Sequence, residues 1–180
     1  MSERMTLERY LAGEETNRPR ELAYGILREP PAPTFEHQIV VGDIYSRLDR
    51  HVAKHGLGRV VMSPVDVILD RERHLVVQPD ILFVSNARLA MCADRVWGAP
   101  DLTIEVLSLG NGRHDRVVKM GWYRQYGVRE FWIVDPIECT IAVFDLVSQI
   151  AGGHTFEGSH IVRSGVLPRL RLRPSALFPK

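Results

Sequence analysis

Residues 76–86, VVQPDILFVSN, and residues 99–108, APDLTIEVLS, decide the fold of this 180-residue chain. Both are apolar runs of strand length, and each holds a carboxylate: Asp80 in the first and Glu105 in the second. Because side chains alternate along a strand, the apolar residues at even positions of the second run share one face and Glu105 lies on the other. A charge inside a buried strand is costly unless it is paired or holds a cation. The sequence therefore predicts that Glu105 has a partner.

The composition indicates one globular domain with its own core, since 45% of the 180 residues are hydrophobic. A net charge of +1 excludes a strong overall field toward nucleic acid or an anionic membrane, so any polyanion site must be a local basic patch. The two cysteines have neither metal-ligand spacing nor disulfide density, and no segment reads as a signal core or a membrane span. We expect a soluble, cytoplasmic protein with no membrane attachment.

Periodicity and terminator residues predict alternating helices and strands. The longest helix starts at Thr34, ends at Gly56 and has an apolar stripe at spacing four. A strand at 101–107, a helix at 113–126 and a strand at 130–134 form a βαβ unit with a parallel pair. The remaining predictions are a short helix to residue 12 capped by Thr6, a strand or hairpin arm over 21–29 broken at Gly25, strands at 59–70 and 75–84 joined by a charged turn, a helix–loop at 86–99, a loop at 110–112, a strand at 140–146, and two or three short β segments before residue 174. We predict one α/β domain over 1–180, with a mixed central β-sheet flanked by helices.

The acidic residues suggest a metal site. Pro79 belongs at a strand entrance or edge, so it holds Asp80 ahead of the buried run that follows. If the strands that carry Asp80 and Glu105 are neighbours, the two carboxylates repel each other and the pKa of one rises. A hard divalent cation such as Mg²⁺ removes that conflict. For Asp80 a structural alternative stays open, because an aspartate after a proline also caps turns through its own backbone.

Lys119 lies on the predicted helix 113–126 and has two interpretations. Its spacing from Asp115 is that of an ordinary surface ion pair. Turned toward Glu105 instead, its amine could orient a water or stabilise charge that builds on a phosphate. Aromatic residues at helical spacing place Lys119 at the border of the buried face. The first turn of this helix would also suit a phosphate, through Arg113, His114 and Arg116.

Two other patterns carry less weight. His51 and His55 have the spacing of a helical metal pair, but the glutamate expected between them is absent. The C-terminal arginines Arg169, Arg171 and Arg173 alternate along a predicted strand. They could touch phosphates or, equally, protect a solvated edge strand.

Taken in order, three segments and three single residues closely resemble the Uma-two family of the PD-(D/E)XK nuclease superfamily. The segments are 78–84 (QPDILFV), 100–108 (PDLTIEVLS) and 127–136 (GVREFWIVDP), and the single residues are Asp115, Lys119 and Tyr123. The similarity covers nearly the whole chain. It implies a restriction-endonuclease-like core and a Mg²⁺-dependent endonuclease that hydrolyses DNA phosphodiester bonds.

The resemblance also implies roles for particular residues. Asp80 and Glu105 match the acidic pair that binds Mg²⁺ or Mn²⁺, with the main-chain carbonyl of Val106 as a third ligand. The standard motif has a lysine two residues after the second acid, where this chain has Leu107. Lys119 matches the family lysine on the following helix and would serve as the catalytic lysine.

Two more positions match the family pattern in the N-terminal part of the chain. Glu36, or else His37, corresponds to the position where such nucleases add an acidic or polar group, and Glu36 is our predicted catalytic residue there. Glu21 matches an Arg-Glu-Leu segment to which no chemical role attaches.

Two functional hypotheses follow. The first is a metal-dependent DNA endonuclease, with a homodimer expected by analogy with the superfamily. The second is a catalytically inactive nuclease-fold protein that acts in nucleic-acid or protein binding. The first requires the carboxylates of Asp80 and Glu105 to converge, with Lys119 directed at the same point.

Overall fold

The computed structural model describes residues 4–13, 18–108, 113–148 and 152–178, with the backbone but not the side chains of 113–116. In chain order the elements are α1 (Leu7–Leu11), β1 (Glu21–Ala23), β2 (Ile26–Arg28), α2 (Phe35–His55), β3 (Gly58–Met62), β4 (Val67–Asp70), β5 (Leu75–Val77), β6 (Ile81–Ser85), β7 (Leu102–Val106), α3 (Arg113–Tyr126), β8 (Glu130–Asp135), β9 (Thr140–Asp145) and β10 (Gly153–Glu157), with 3-10 helices at Asn86–Met91 and Pro174–Ala176. The predicted loop at 110–112 lies outside the described residues.

The strands form two sheets. The larger sheet has six strands in the order β10-β9-β8-β7-β6-β3, and its β7–β8 pair is parallel while the other pairs are antiparallel. The smaller sheet has four antiparallel strands in the order β2-β1-β5-β4. The predicted βαβ unit and the mixed central sheet are therefore confirmed.

Local signals set the bounds of the long helix α2. The hydroxyl of Thr34 accepts a hydrogen bond from the backbone N–H of His37, which satisfies one of the donors left free at a helix start. Gly56 ends the helix in the left-handed conformation with φ 60°, which glycine adopts without steric cost. The predicted apolar stripe is buried, at Val40, Ile44, Leu48 and Val52.

Helices cover the two faces of the larger sheet. On one face α2 and the C-terminal segment pack over Ile81, Phe83 and the even-numbered residues of β7. On the other face α3 packs over Leu82 and Val84 through Trp122 and Tyr123. Glu105, which alternates with the even positions of β7, therefore faces α3, as the strand period predicts.

Two parts of the predicted strand pattern are wrong. The arms 59–70 and 75–84 each divide into two strands: the charged turn joins β4 to β5 in the smaller sheet, while β3 pairs with β6 in the larger one. Pro64 and Pro79 fall between the two halves, and a proline has no N–H to continue a ladder.

The C-terminal segment contains one strand, β10, where two or three were predicted. Residues 158–173 form no strand, although Leu170 and Leu172 are buried and the arginines Arg169, Arg171 and Arg173 are exposed. The buried carboxylate of Glu130 takes the place of a neighbouring strand for two hydrogen-bond donors of this segment. It accepts hydrogen bonds from Gly165 N and Ser164 Oγ, each at 2.6 Å.

Within the described ranges, no helix is both long and apolar enough to span a membrane. The organisation of the chain as one domain over 1–180 stays a prediction.

Candidate active site

Asp80 connects two neighbouring strands at the point where β6 begins. Its Oδ2 atom accepts a hydrogen bond from the backbone N–H of Val106 at 2.8 Å, across 26 residues of sequence. Among the described residues, this carboxylate therefore bonds across to the next strand and not to a turn of its own. With 21% of its side chain exposed, Asp80 can be reached by a ligand.

Glu105 projects from β7 toward α3 and has two partners there. Its Oε1 atom accepts hydrogen bonds from the amine of Lys119 at 3.1 Å and from the hydroxyl of Tyr123 at 2.8 Å. Lys119 and Tyr123 are four residues apart on α3, so they lie one above the other on the same helix face. The partner that Glu105 requires is therefore this pair of side chains.

Of the two interpretations of Lys119, the structure has the one in which the amine turns inward. Only 15% of its side chain is exposed, and Nζ lies 2.8 Å from Oε1 of Glu21 as well as 3.1 Å from Glu105. The alternative partner, the side chain of Asp115, lies outside what the structure describes, as do the side chains of Arg113, His114 and Arg116.

Glu21 joins the site from the smaller sheet. It is the first residue of β1, its side chain is 10% exposed, and it pairs with Lys119. Its Oε1 atom also accepts a hydrogen bond from the backbone N–H of Gln78 at 3.0 Å. The sequence matched Glu21 to a family segment but gave it no role, and the structure brings it to the predicted lysine.

His37 enters the site from α2. Its Nε2 atom lies 3.1 Å from the carbonyl oxygen of Val106 and 3.3 Å from Oδ2 of Asp80. A carbonyl oxygen only accepts hydrogen bonds, so this contact places a proton on Nε2. Burial lowers the pKa of His37, but the hydrogen bond and charge of Asp80 outweigh that effect and raise the pKa above its usual value.

Glu36 is not part of this group. Its side chain is exposed, and the cavity at the site is lined by its neighbour His37 instead. Our prediction named Glu36 first and His37 second, and the structure reverses that order. The physical reason is the helical turn of about 100° per residue, which points adjacent side chains in different directions.

The candidate residues line one cavity of about 510 Å³. Its lining includes Glu21, Asp80, Glu105, Val106 and Lys119, and also His37, Gln78, Leu107 and Arg18. Residues 30–33 have the sequence PPAP and form no helix or strand, and together with the start of α2 they form one wall of the cavity. The convergence that the endonuclease hypothesis requires is thus present: two carboxylates and one lysine face the same space.

Among the described residues that line this cavity, the charges do not balance while His37 is neutral. Three carboxylates, those of Glu21, Asp80 and Glu105, face two permanent cations, Lys119 and Arg18. Burial, with the charges of Asp80 and Glu21, raises the pKa of Glu105 to about 7 against the opposing effects of Lys119 and Tyr123. Burial lowers the pKa of Lys119, but the charges of Glu105 and Glu21 outweigh it, so this pKa is raised. The site thus holds a charged lysine and an excess of acidic oxygen atoms.

A signal for His37 was present in the sequence. Stepping back from Val52 by four residues at a time leads to Glu36, but each such step overshoots a full helical turn by about 40°. Four steps accumulate about 160°, so Glu36 leaves the buried face, whereas His37 stays within about 60° of it. The role of Glu21 had no comparable local signal, because its contact with Lys119 joins residues 98 positions apart.

Comparison with a solved structure defines the fold class of this protein. The crystal structure of a "putative nuclease belonging to DUF820" from Anabaena variabilis ATCC 29413 matches this fold with a TM-score of 0.84 over 97% of each chain, at 22% sequence identity. The restriction-endonuclease-like fold is therefore confirmed. No curated protein matches the sequence significantly.

The family follows from the sequence itself. The Uma2 family, described as "Putative restriction endonuclease", matches residues 6–173. The chain therefore belongs to the Uma2 family, which confirms the resemblance drawn from its motifs.

Proposed function

We propose that this protein is a metal-dependent endonuclease that hydrolyses DNA phosphodiester bonds, with Asp80, Glu105 and the carbonyl of Val106 as ligands of Mg²⁺ or Mn²⁺. The observation that carries the proposal is the convergence of Asp80, Glu105 and Lys119 in one cavity. Family membership supports phosphodiester hydrolysis and a nucleic-acid substrate, while the metal rests on the donor chemistry of the site.

The donor set fits a hard divalent cation. Within the described residues no three His, Cys, Asp or Glu side chains form a ready-made metal cluster. The available donors are two carboxylates and a carbonyl, which are the oxygen ligands that Mg²⁺ combines with water and substrate phosphate. Among the residues that the structure describes, the hydrogen bonds to these carboxylates are made to Oδ2 of Asp80 and Oε1 of Glu105, and each carboxylate has a second oxygen that can accept a ligand. A bound cation would supply Lewis-acid stabilisation of the phosphate and lower the pKa of water.

The protein's own residues supply orientation and charge. Lys119 carries a positive charge that can offset the negative charge developing on a phosphate in the transition state. Tyr123 fixes Oε1 of Glu105 and thereby the direction of its other oxygen. Val106 N–H fixes Asp80 in the same way. These contacts hold the acidic groups in place before substrate arrives, which reduces the entropy that binding must overcome.

The same charges favour catalysis over the binding hypothesis. A cavity lined by three carboxylates repels a phosphate backbone unless a cation intervenes. A protein that only bound nucleic acid at this position would gain from the loss of these acids.

The test combines metal binding with cleavage. Mn²⁺ binding is measured by calorimetry on the wild type, Asp80→Asn and Glu105→Gln, and each protein is then assayed on supercoiled plasmid DNA with Mg²⁺ or Mn²⁺. We expect both variants to lose metal binding and cleavage while keeping the wild-type fold by circular dichroism. Glu138→Gln, which removes an exposed carboxylate outside the cavity, is the control and should behave as the wild type.

A folded wild type that neither binds Mn²⁺ nor cuts DNA would reject this proposal in favour of a nuclease-fold binding protein. Cleavage of RNA but not DNA would retain the site and correct the substrate. The predicted homodimer and the cytoplasmic location stay predictions, and sedimentation of the same samples checks the first.

A further inference from the structure

Lys119 reaches the candidate site from a helix, and this origin raises a problem of positioning. In the standard motif the lysine stands on the strand itself, two residues after the second acid. Here that position is Leu107, which lines the same cavity. A lysine on a helix extends a flexible side chain of four carbons, and holding its amine in one place costs rotamer entropy. Some other group must therefore fix the amine.

Glu21 has the geometry for this task. Its contact with Nζ of Lys119, at 2.8 Å, is shorter than the 3.1 Å contact that Glu105 makes with the same atom. Glu21 is 8% exposed as a residue, so water competes weakly for this ion pair. Its Oε1 atom receives the Gln78 backbone N–H at 3.0 Å, which ties it to the segment that carries Asp80.

Further hydrogen bonds hold Glu21 and Gln78 in position relative to each other. The Oε1 atom of Gln78 accepts from Arg20 N at 3.0 Å, next to Glu21 in sequence. Its Nε2 atom donates to Oδ1 of Asp66 at 2.8 Å, and the hydroxyl of Tyr10 donates to the same oxygen at 2.9 Å. The carboxylate of Glu21 therefore belongs to a connected polar network, which is the arrangement that restricts side chains most.

We propose that Glu21 is the positioning residue of Lys119. Its buried carboxylate fixes the amine at the candidate site, a task that the strand itself performs in the standard motif, where a lysine stands at the position of Leu107. Because Glu21 shares the amine, the ion pair between Lys119 and Glu105 is weaker, and Glu105 stays available to bind a cation. The role in catalysis rests on the proposed function, whereas the hold on the amine does not.

A structural role would look different. If Glu105 alone held the amine and Glu21 only stabilised the contact between β1 and α3, removing the charge of Glu21 would lower stability but leave the reactivity of the Lys119 amine relative to another lysine unchanged. The chain is well suited to this distinction because it has three lysines, Lys54, Lys119 and Lys180. Lys54 is exposed on α2 and serves as an internal reference.

The experiment measures how fast each lysine reacts with acetic anhydride, by mass spectrometry, in metal-free protein. The proteins are the wild type, Glu21→Gln, Glu21→Asp and the control Glu138→Gln. Glu21→Gln keeps the shape of the side chain and a carbonyl oxygen for Gln78 N, so the variant should fold. Circular dichroism and the labelling rate of Lys54 verify this in each sample.

We expect Lys119 of the wild type to react at least about tenfold more slowly than Lys54, since a charge-assisted ion pair protects the amine. Glu21→Gln should raise the Lys119 rate about tenfold and leave that of Lys54 unchanged. Glu21→Asp, which keeps the charge, should restore part of the protection. Equal rates for Lys119 in the wild type and in folded Glu21→Gln would overturn the proposal.

A cleavage assay then separates positioning from the proposed function. If the wild type cuts DNA, Glu21→Gln should lower kcat with little change in KM, because the aligned amine acts in the transition state. A rise in KM alone would overturn the catalytic part of the inference. A wild type without activity would reject the nuclease proposal, and the labelling ratio would still decide whether Glu21 positions Lys119.

Discussion

Nε2 of His37 lies 3.3 Å from Oδ2 of Asp80, so a side chain from the long helix contacts the carboxylate that the sequence marked as a metal ligand. The same nitrogen is 3.1 Å from the carbonyl oxygen of Val106, the other expected ligand on this side of the cavity. An imidazole N–H thus holds two of the three predicted ligand groups together. This contact gives His37 a measurable signature.

The pKa of His37 should lie above 6.5 in the folded protein, because the hydrogen bond and charge of Asp80 outweigh the effect of burial. NMR titration of the imidazole signals measures it directly. In Asp80→Asn the burial remains and the charge is lost, so we expect the pKa of His37 to fall. Asp145→Asn, at an exposed carboxylate, is the control and should leave the titration unchanged.

The sign of the stability effect follows from that shift. A histidine whose pKa is raised on folding stabilises the native state fully below its unfolded pKa, and this contribution is lost as the pH rises through the raised value. The difference in unfolding free energy between the wild type and His37→Gln should therefore shrink above pH 6.5. A difference that grows with pH would contradict the assigned contact.

Metal affinity should depend on pH through Glu105. Burial and the neighbouring carboxylates raise the pKa of Glu105 to about 7, so a cation must displace a proton from it near neutrality. We expect the Mn²⁺ affinity to rise about tenfold between about pH 6 and pH 8, and protonated His37 at Asp80 contributes in the same direction. Calorimetry in two buffers of different ionisation enthalpy measures the proton release. An affinity that is flat over this range would mean that Glu105 is ionised before metal binds.

Loss of the Lys119 charge should separate catalysis from metal binding. Lys119→Met removes the amine but keeps most of the side-chain volume, and we expect single-turnover cleavage to fall by about 10²–10³-fold. Mn²⁺ affinity should be kept or increased, because the ammonium no longer competes for Glu105. Unchanged cleavage would remove Lys119 from the proposed mechanism.

A lysine at position 107 offers the reciprocal control. Because Leu107 lines the cavity, Leu107→Lys in the Lys119→Met background should recover part of the cleavage rate. Leu107→Met in the same background adds no charge and should recover none.

Glu130 should be important for stability and not for the site. Its buried carboxylate accepts hydrogen bonds from Trp132 Nε1 at 2.7 Å and from Ser164 and Gly165. Glu130→Ala leaves these donors without their partner, and we expect it to lower the free energy of unfolding by about 3 kcal/mol or more. Urea unfolding measures this, with Glu138→Ala expected within about 0.5 kcal/mol of the wild type. If Glu130→Ala lowered the free energy of unfolding as little as Glu138→Ala, other groups would be accepting the hydrogen bonds of the C-terminal donors.

Local signals made much of the fold predictable. Capping by Thr34, the stop at Gly56 and the apolar stripe between them fixed α2, because caps and helical periodicity act over a few residues. The alternation along β7 placed Glu105 on the face opposite the even-numbered core residues, where α3 packs. The prolines 64 and 79 were visible as well, but which sheet each half-strand would join was not.

By itself, the sequence determined the two main helices, the βαβ unit, and the acids and lysine that meet in the cavity. Only the tertiary structure decided that Glu21 faces Lys119, because the two residues are brought together by the pairing of β1 with β5 and by the packing of α3. The apolar stripe of α2 already turned His37, and not Glu36, toward the buried face, but only the tertiary structure decided that this histidine meets Asp80. Local propensities extend over a few residues, whereas these contacts join residues tens of positions apart, and packing alone selects them.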